Sequence, residues 1–270
     1  MTGTHDGGGR PLALITGASS GIGRAYAERL AVDGYDLVVV ARRGDRLGEL
    51  KDRLESKHGV AVQPLVADLS TESGMRNVDA AAGDPRIRMV VDSAALAYYM
   101  PFAKLPTERA EELVKLNVLA PVRLIHSALP GMIQRGNGAI ISIASLLAFS
   151  AANANPQLPA RAVYAASKSF LLTFVRLLAQ ELRDTGIRLQ VVCPGVVKTE
   201  FHTRQQIDVS HMPRTEPEQI VQASMLALQR GEIVCMPTVD EADRLQRYDQ
   251  AANEVFMGGM KPALAGRYSG

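Results

Sequence analysis

"PLALITGASSGIG", residues 11 to 23, is a nearly continuous apolar run that breaks into a turn carrying Gly17, Gly21 and Gly23. An apolar run of this length, without alternation, reads as a strand covered on both faces. The glycines come immediately after it and open a helical pattern that stops at Gly34. A turn with so little side-chain bulk exposes backbone N–H groups at the positive end of a helix dipole, where an anion is stabilised. In the first strand, turn and helix of an alternating chain, that anion is expected to be the pyrophosphate of a dinucleotide.

Six further runs resemble the first: "DLVVVA" at 36 to 41, "AVQPLVAD" at 61 to 68, "RMVVDSA" at 88 to 94, "AIISIAS" at 139 to 145, "IRLQVVC" at 187 to 193 and "EIVCMP" at 232 to 237. Helical patterns separate them, so the expected class is α/β: a Rossmann-type, doubly wound, seven-stranded parallel sheet. "TEPE" at 215 to 218 reads as a Thr-x-x-Glu capping box with Pro217 in the first turn. Residues 1 to 10 are expected to be a flexible leader, 11 to 237 the dinucleotide-binding and catalytic domain, and 238 to 270 a helical extension. In that extension Leu245, Tyr248, Ala252, Val255 and Phe256 recur at helical spacing before Gly258 and Gly259, which predicts an amphipathic C-terminal helix. Its apolar stripe has three possible coverings: the protein's own sheet, a partner subunit, or a role as a lid.

Composition narrows the function classes. With 47% hydrophobic residues the chain can bury a large core. Its 30 basic and 28 acidic side chains are interspersed, with no Lys/Arg block of the kind that tracks a nucleic-acid backbone. Cys193 and Cys235 lack metal-ligand spacing and read as reduced, packed thiols; no metal is expected. The N-terminus has no apolar signal region, and no apolar run approaches membrane-spanning length, so the default location is the cytoplasm, with no membrane partner.

The second strand runs into Ala41, Arg42 and Arg43. An acid at its end would accept from the adenosine ribose hydroxyls, whereas an arginine pairs with a 2′-phosphate. The residues favour NADP(H) over NAD(H); the competing reading is two solvated loop arginines. "VYAASK" at 163 to 168 places Tyr164 one helical turn before Lys168, so an ammonium can sit near a phenol. Taken alone, that spacing also suits a buried ring with a snorkelling lysine.

"TGASSGIG", "ADL" at 67 to 69, "NVLAP" at 117 to 121, the "SIAS" strand end, "YAASK" and "PGVVKT" at 194 to 199 follow one another in an order that resembles the short-chain dehydrogenase/reductase family in its single-domain soluble form. The resemblance covers roughly residues 11 to 237. It implies Tyr164 as general acid and base, Lys168 as the group that lowers its pKa and bonds the nicotinamide ribose, Ser145 as the hydroxyl on the substrate carbonyl, and Asn117 as the holder of a relay water. It implies a cofactor site made of Gly17, Ser19, Ser20, Gly21, Ile22, Gly23, Arg42, Arg43, Asp68, Leu69, Ala94, Tyr164, Lys168, Pro194, Gly195, Val197 and Thr199. The family commonly assembles through the tyrosine-bearing helix, and "SFLLTFVRLLAQEL" at 169 to 182 is apolar on more than one face, so a homodimer or homotetramer is expected.

Two departures stand out. The loop from Leu146 to Val163 is longer than the family usually carries, which leaves Ser142 as a fallback for Ser145. Where the family has Asn-Asn-Ala-Gly, this chain has Asp92, Ser93, Ala94 and Ala95, and the methyl of Ala95 must fit beside the cofactor or push the backbone away. Tyr98, Leu146, Leu147, Phe149, Leu158, Phe201 and Met212 are expected to wall an apolar pocket, with Asn153, Asn155 and Gln157 as polar contacts, while His202 and His211 read as solvated loop histidines.

The expected function is that of an NADP(H)-dependent oxidoreductase passing hydride between nicotinamide and a small-molecule carbonyl or secondary alcohol, most simply an apolar ketone. Two alternatives stay open. One is a 3-oxoacyl thioester reductase, for which Arg161 is the basic residue at the pocket mouth. The other is an NADPH-binding sensor with little catalysis.

Overall fold

A computed structural model describes residues 9–155, 158–205, 207–241 and 243–268. The seven apolar runs form β1 (Leu12–Thr16), β2 (Asp36–Ala41), β3 (Val62–Val66), β4 (Ile87–Asp92), β5 (Gly138–Ile143), β6 (Ile187–Val192) and β7 (Val234–Cys235). They build one parallel sheet in the order β3-β2-β1-β4-β5-β6-β7. β7 is only two residues long: it pairs with Val191 and Val192 at the sheet edge, and Pro237 follows without an N–H to donate. β5 stops at Ile143, so Ser145 lies beyond the strand that was expected to reach it.

The helices are α1 (Gly21–Val32), α2 (Gly44–His58), α3 (Glu72–Ala82), α4 (Thr107–Val114), α5 (Ala120–Arg135), α6 (Ala162–Glu181), α7 (Glu200–Arg204), α8 (Pro217–Gln229) and α9 (Asp243–Gly259). On β1, Ala13 and Ile15 face the layer of α1, α2 and α8, while Leu12 and Leu14 face α3, α5 and α6. Every position of a central strand is therefore inside, which is why the runs do not alternate.

Two local expectations are corrected. The helix α8 is capped by Glu216 and Gln219, not by Thr215 and Glu218. Thr215 is instead held extended: its N–H donates to the Val196 carbonyl at 3.0 Å and its carbonyl accepts from Lys198 at 2.9 Å. Contrary to the expectation of no membrane-length apolar segment, 107–135 and 162–181 are long and apolar enough by length and composition, with 39% of each apolar window buried in the fold. The first is one continuous rod, α4 joined to α5 through a π turn at Lys115–Leu119, and the second is α6.

By contacts the chain divides at Pro237. The unit from Thr238 contains α9 and a short turn at Gly266–Tyr268; α9 ends at Gly259, within the glycine pair expected to end it. Its Val255 and Phe256 are exposed. Of the expected leader, residues 1 to 8 lie outside the described residues.

Candidate active site

The sheet order reverses between β1 and β4, and the crevice beyond the carboxyl ends of the strands opens there. Gly17 bends the chain out of β1 with φ +69°, and a Cβ added to it would lie 3.0 Å from the backbone of Ser93 and Ala94. At Gly23 a Cβ would come within 2.5 Å of the Gly17 carbonyl oxygen. The turn is thus packed from behind, and its open side faces a cavity of about 980 Å³. Gly17, Ser19, Ser20, Gly21 and Ile22 line that cavity, whereas Gly23 does not; its contribution is close packing of helix on turn.

Thr16 is fully buried beneath the turn, and its Oγ1 accepts from the N–H groups of Ser93 and Ala94, both at 3.0 Å. Its own proton points to Asp92 Oδ1 at 3.3 Å. Asp92 is 4% exposed, and burial pushes its pKa up to about 6 against the pull of Lys168 and Thr16. The segment unlike the family pattern therefore closes on β1 through one hydroxyl. Ala94 and the methyl-bearing Ala95 both border the cavity.

At one end of the cavity stand Arg42, Arg43, Asp68 and Leu69. The Arg43 Nη2 donates to Ser19 at 2.8 Å and Ser20 at 3.0 Å, and its Nη1 reaches Glu200 at 2.9 Å. Glu200 also takes a bond from Arg46 at 2.6 Å, and these arginines, Arg46 first, hold its carboxyl down to about 2. Arg42 is more exposed and stands 3.8 Å from Asp68. A rigid guanidinium next to hydroxyls and a helix N-terminus forms a donor set for phosphate, so the residues present fit a phosphorylated dinucleotide.

Midway along, Ser145, Tyr164, Lys168, Pro194, Gly195, Val197 and Thr199 line the same cavity. Ser145 is set by the end of β5: Ala144 N–H bonds the Val192 carbonyl at 2.7 Å and Leu146 N–H the Pro194 carbonyl at 2.9 Å. Its Oγ accepts from Leu147 N–H at 3.1 Å, leaving its proton for another acceptor. Tyr164, on the first turn of α6, is 6% exposed. Burial raises its pKa well above the ordinary phenol, the neighbouring Tyr99 adds to the rise, and the nearby Ser145 hydroxyl opposes it.

Lys168 follows one turn later, buried, and donates to the Ile143 carbonyl at 2.9 Å. Its Nζ is 5.8 Å from the Tyr164 ring centroid. Burial lowers its pKa to about 8, with Asp92 acting against that. The expected lowering of the tyrosine pKa by this lysine does not emerge in the protein alone. Desolvation by burial is the largest cause of the rise. Asn117 sits in the π turn and does not line the cavity: Oδ1 accepts from Leu96 N–H at 3.1 Å, and Nδ2 donates to the Leu96 carbonyl at 2.9 Å and Ser167 at 3.1 Å. Ser142 is fully buried in β5 with its hydroxyl unpartnered among the described residues, off the cavity.

On the far side, Leu146, Leu147, Leu158, Phe201 and Met212 form the wall as expected. Phe149 instead packs into the core, and Tyr98 turns to Glu112 under Arg109. Asn153 and Asn155 lie off the wall, and Gln157 falls outside the described residues. His202 and His211 do line the cavity; His202 is half-buried, its Nδ1 lacks a partner among the described residues, and burial lowers its pKa. Sequence reasoning missed Tyr99, whose ring lies 5.5 Å from that of Tyr164 and 6.3 Å from that of His202. In "LAYYM" two adjacent tyrosines leave no periodicity to say which one turns inward. Among the described residues no group of three or more His, Cys, Asp or Glu could hold a metal ion.

The family described as short chain dehydrogenase matches residues 11–210, and the chain belongs to it. It is an oxidoreductase of that family. Over 96% of its length, and 99% of the other chain, it superimposes on a short-chain dehydrogenase from Sphingobium yanoikuyae in complex with NADPH, with TM-score 0.90 and 36% identity. A bulky-bulky ketone specific alcohol dehydrogenase from Comamonas testosteroni follows, with TM-score 0.85 and 30% identity over 96% of this chain and 98% of that one. The very-long-chain 3-oxoacyl-CoA reductase of Mus musculus is 29% identical over 70% of this chain, which spans 60% of that protein's length.

Proposed function

We propose that the chain is an NADP(H)-dependent reductase of ketones with apolar substituents, working in reverse as a secondary-alcohol dehydrogenase. One observation carries the reading: the buried phenol of Tyr164 and the Ser145 hydroxyl line one cavity together with an arginine-serine cluster and an apolar wall. Arg43, Ser19 and Ser20 support a 2′-phosphate there, Gly17 and Gly21 leave room for the pyrophosphate, and the nicotinamide would lie against Pro194, Val197 and Thr199. When bound, the cofactor supplies the hydride.

The remaining work falls to side chains of this chain. Ser145 donates to the carbonyl oxygen, and Tyr164 gives the same oxygen its proton as negative charge develops. Its raised pKa keeps that proton in place at neutral pH, which suits reduction. Lys168, fixed by the Ile143 carbonyl, holds a positive charge below the site, and the Leu146, Leu147, Phe201 and Met212 wall excludes water. The Comamonas testosteroni neighbour, named for bulky ketones, supports a substrate with two sizeable substituents.

The 3-oxoacyl thioester reading draws on the mouse relative. Arg161, its expected basic residue, is committed to Ser150, Asn153 and Pro159, which weakens it. NADPH oxidation across ketones, aldehydes and 3-oxoacyl thioesters decides between them. Turnover of bulky ketones that vanishes in Tyr164→Phe supports the proposal, turnover confined to thioesters replaces it with the second reading, and NADPH binding without any turnover favours the sensor.

A further inference from the structure

One carboxylate draws arginines from the turn before α2, from α2 itself and from α7. Glu200, the first residue of α7, accepts from Arg43 Nη1 at 2.9 Å and from Arg46 Nη1 at 2.6 Å, and Arg204 one turn on reaches the same oxygen as Arg43. Arg43 lines the cavity and Glu200 does not, so the carboxylate grips this guanidinium from outside the cofactor space. Arg43 is also held without it: Nε and Nη2 donate to Ser19 at 3.2 and 2.8 Å, and Nη2 donates to Ser20 at 3.0 Å. A guanidinium carries five N–H donors, so with Glu200 in place little of it is left for a further anion. The same carboxylate connects these arginines to the substrate wall, because the next two residues of α7, Phe201 and His202, line the cavity.

We propose that Glu200 is a specificity-determining residue for the cofactor: its charge offsets that of Arg43 and Arg46 and limits how strongly the chain prefers a 2′-phosphate. This rests on the NADP(H) reading above. A phosphate and a carboxylate bound to one guanidinium are like charges a few ångströms apart, and each lowers the affinity of the site for the other. NADH places no phosphate there and does not feel the carboxylate. The three bonds to Ser19 and Ser20 keep Arg43 in position when the charge is removed, so its removal tightens NADPH binding instead of loosening it.

The test is Glu200→Gln, which keeps shape and reach and removes only the charge. Fluorescence titration should show the Kd for NADPH falling roughly three- to tenfold, with NADH changed by less than about twofold. The side chains are 28% exposed for Arg43 and 43% for Glu200, so the gain should shrink as salt rises from about 0.05 to about 0.5 M. In an Arg43→Ala background the same substitution should gain less than about twofold, because the carboxylate acts on the phosphate through Arg43. Unchanged or weaker NADPH binding overturns the proposal and makes Glu200 an anchor for Arg43. An equal gain for NADH, a gain indifferent to salt, or one that persists without Arg43 overturns it too. Wild-type chain that binds NADH as tightly as NADPH refutes the NADP(H) reading instead, and the role of Glu200 then stands only if Glu200→Gln creates the preference.

Discussion

At the scale of single residues, burial outweighs charge at Asp92, Tyr164 and Lys168. Asp92 has its pKa raised from 3.8 to about 6 by desolvation. Such a carboxyl binds its proton more tightly folded than unfolded, so its stabilising contribution is complete below 3.8 and is lost as the pH rises through about 6. Asp92→Asn should therefore compare better with wild type in denaturant melts above pH 6 than below pH 3.8. An equal difference at both ends would show that Asp92 is not the titrating group. Arg43 makes the opposite kind of contribution, through direct donors to Ser19 and Ser20. Arg43→Ala should weaken NADPH by roughly tenfold or more while leaving NADH nearly untouched, as read by fluorescence titration of both.

At the scale of elements, a buried polar chain ties α1 to α8 and β6. The Tyr26 hydroxyl donates to Ser224 at 2.5 Å, Ser224 donates to Gln190 at 2.5 Å, and Gln190 returns to the Ser224 carbonyl at 3.1 Å. Tyr26→Phe leaves Ser224 one partner short in a dry interior and should cost about 1–2 kcal/mol by chemical denaturation. The contact of α1 on its own turn is tighter. Gly23→Ala forces a methyl against the Gly17 carbonyl and should cost about 1–3 kcal/mol, with loss of NADPH binding as the turn shifts.

At the scale of the whole molecule, α6 is apolar on two sides. Leu171, Leu172 and Val175 face the sheet, while Phe170, stacked on Phe174, and Leu177 remain exposed. A self-association surface on that outer face is the expectation, and light scattering should give a multiple of 29.0 kDa. Leu177→Glu, at an exposed position, should shift the mass toward one chain. A wild-type mass of one chain refutes the assembly. Both cysteines are buried, so a thiol reagent should label Cys193 and Cys235 only after unfolding.

The layered sheet could be read from the chain because strands covered on both faces must be continuously apolar, and its crossover helices must carry their own stops. Gly17, Arg43, Tyr164 and Lys168 were readable for a related reason: each stands just beyond a strand end or in the first turns of a helix that the sequence pattern itself marks, and all four line the cavity. Ser145 could be placed only by resemblance, since two serines lie on the same stretch and the sheet decides which is outside. What tertiary structure alone decided depends on residues far apart in sequence. Thr16 closes on Ser93 and Ala94, Glu200 of α7 reaches back to Arg43 just before α2 and Arg46 within it, and Tyr99 rather than Tyr98 turns to Tyr164. Direction along an irregular loop is set by what packs on it, and no local spacing encodes that.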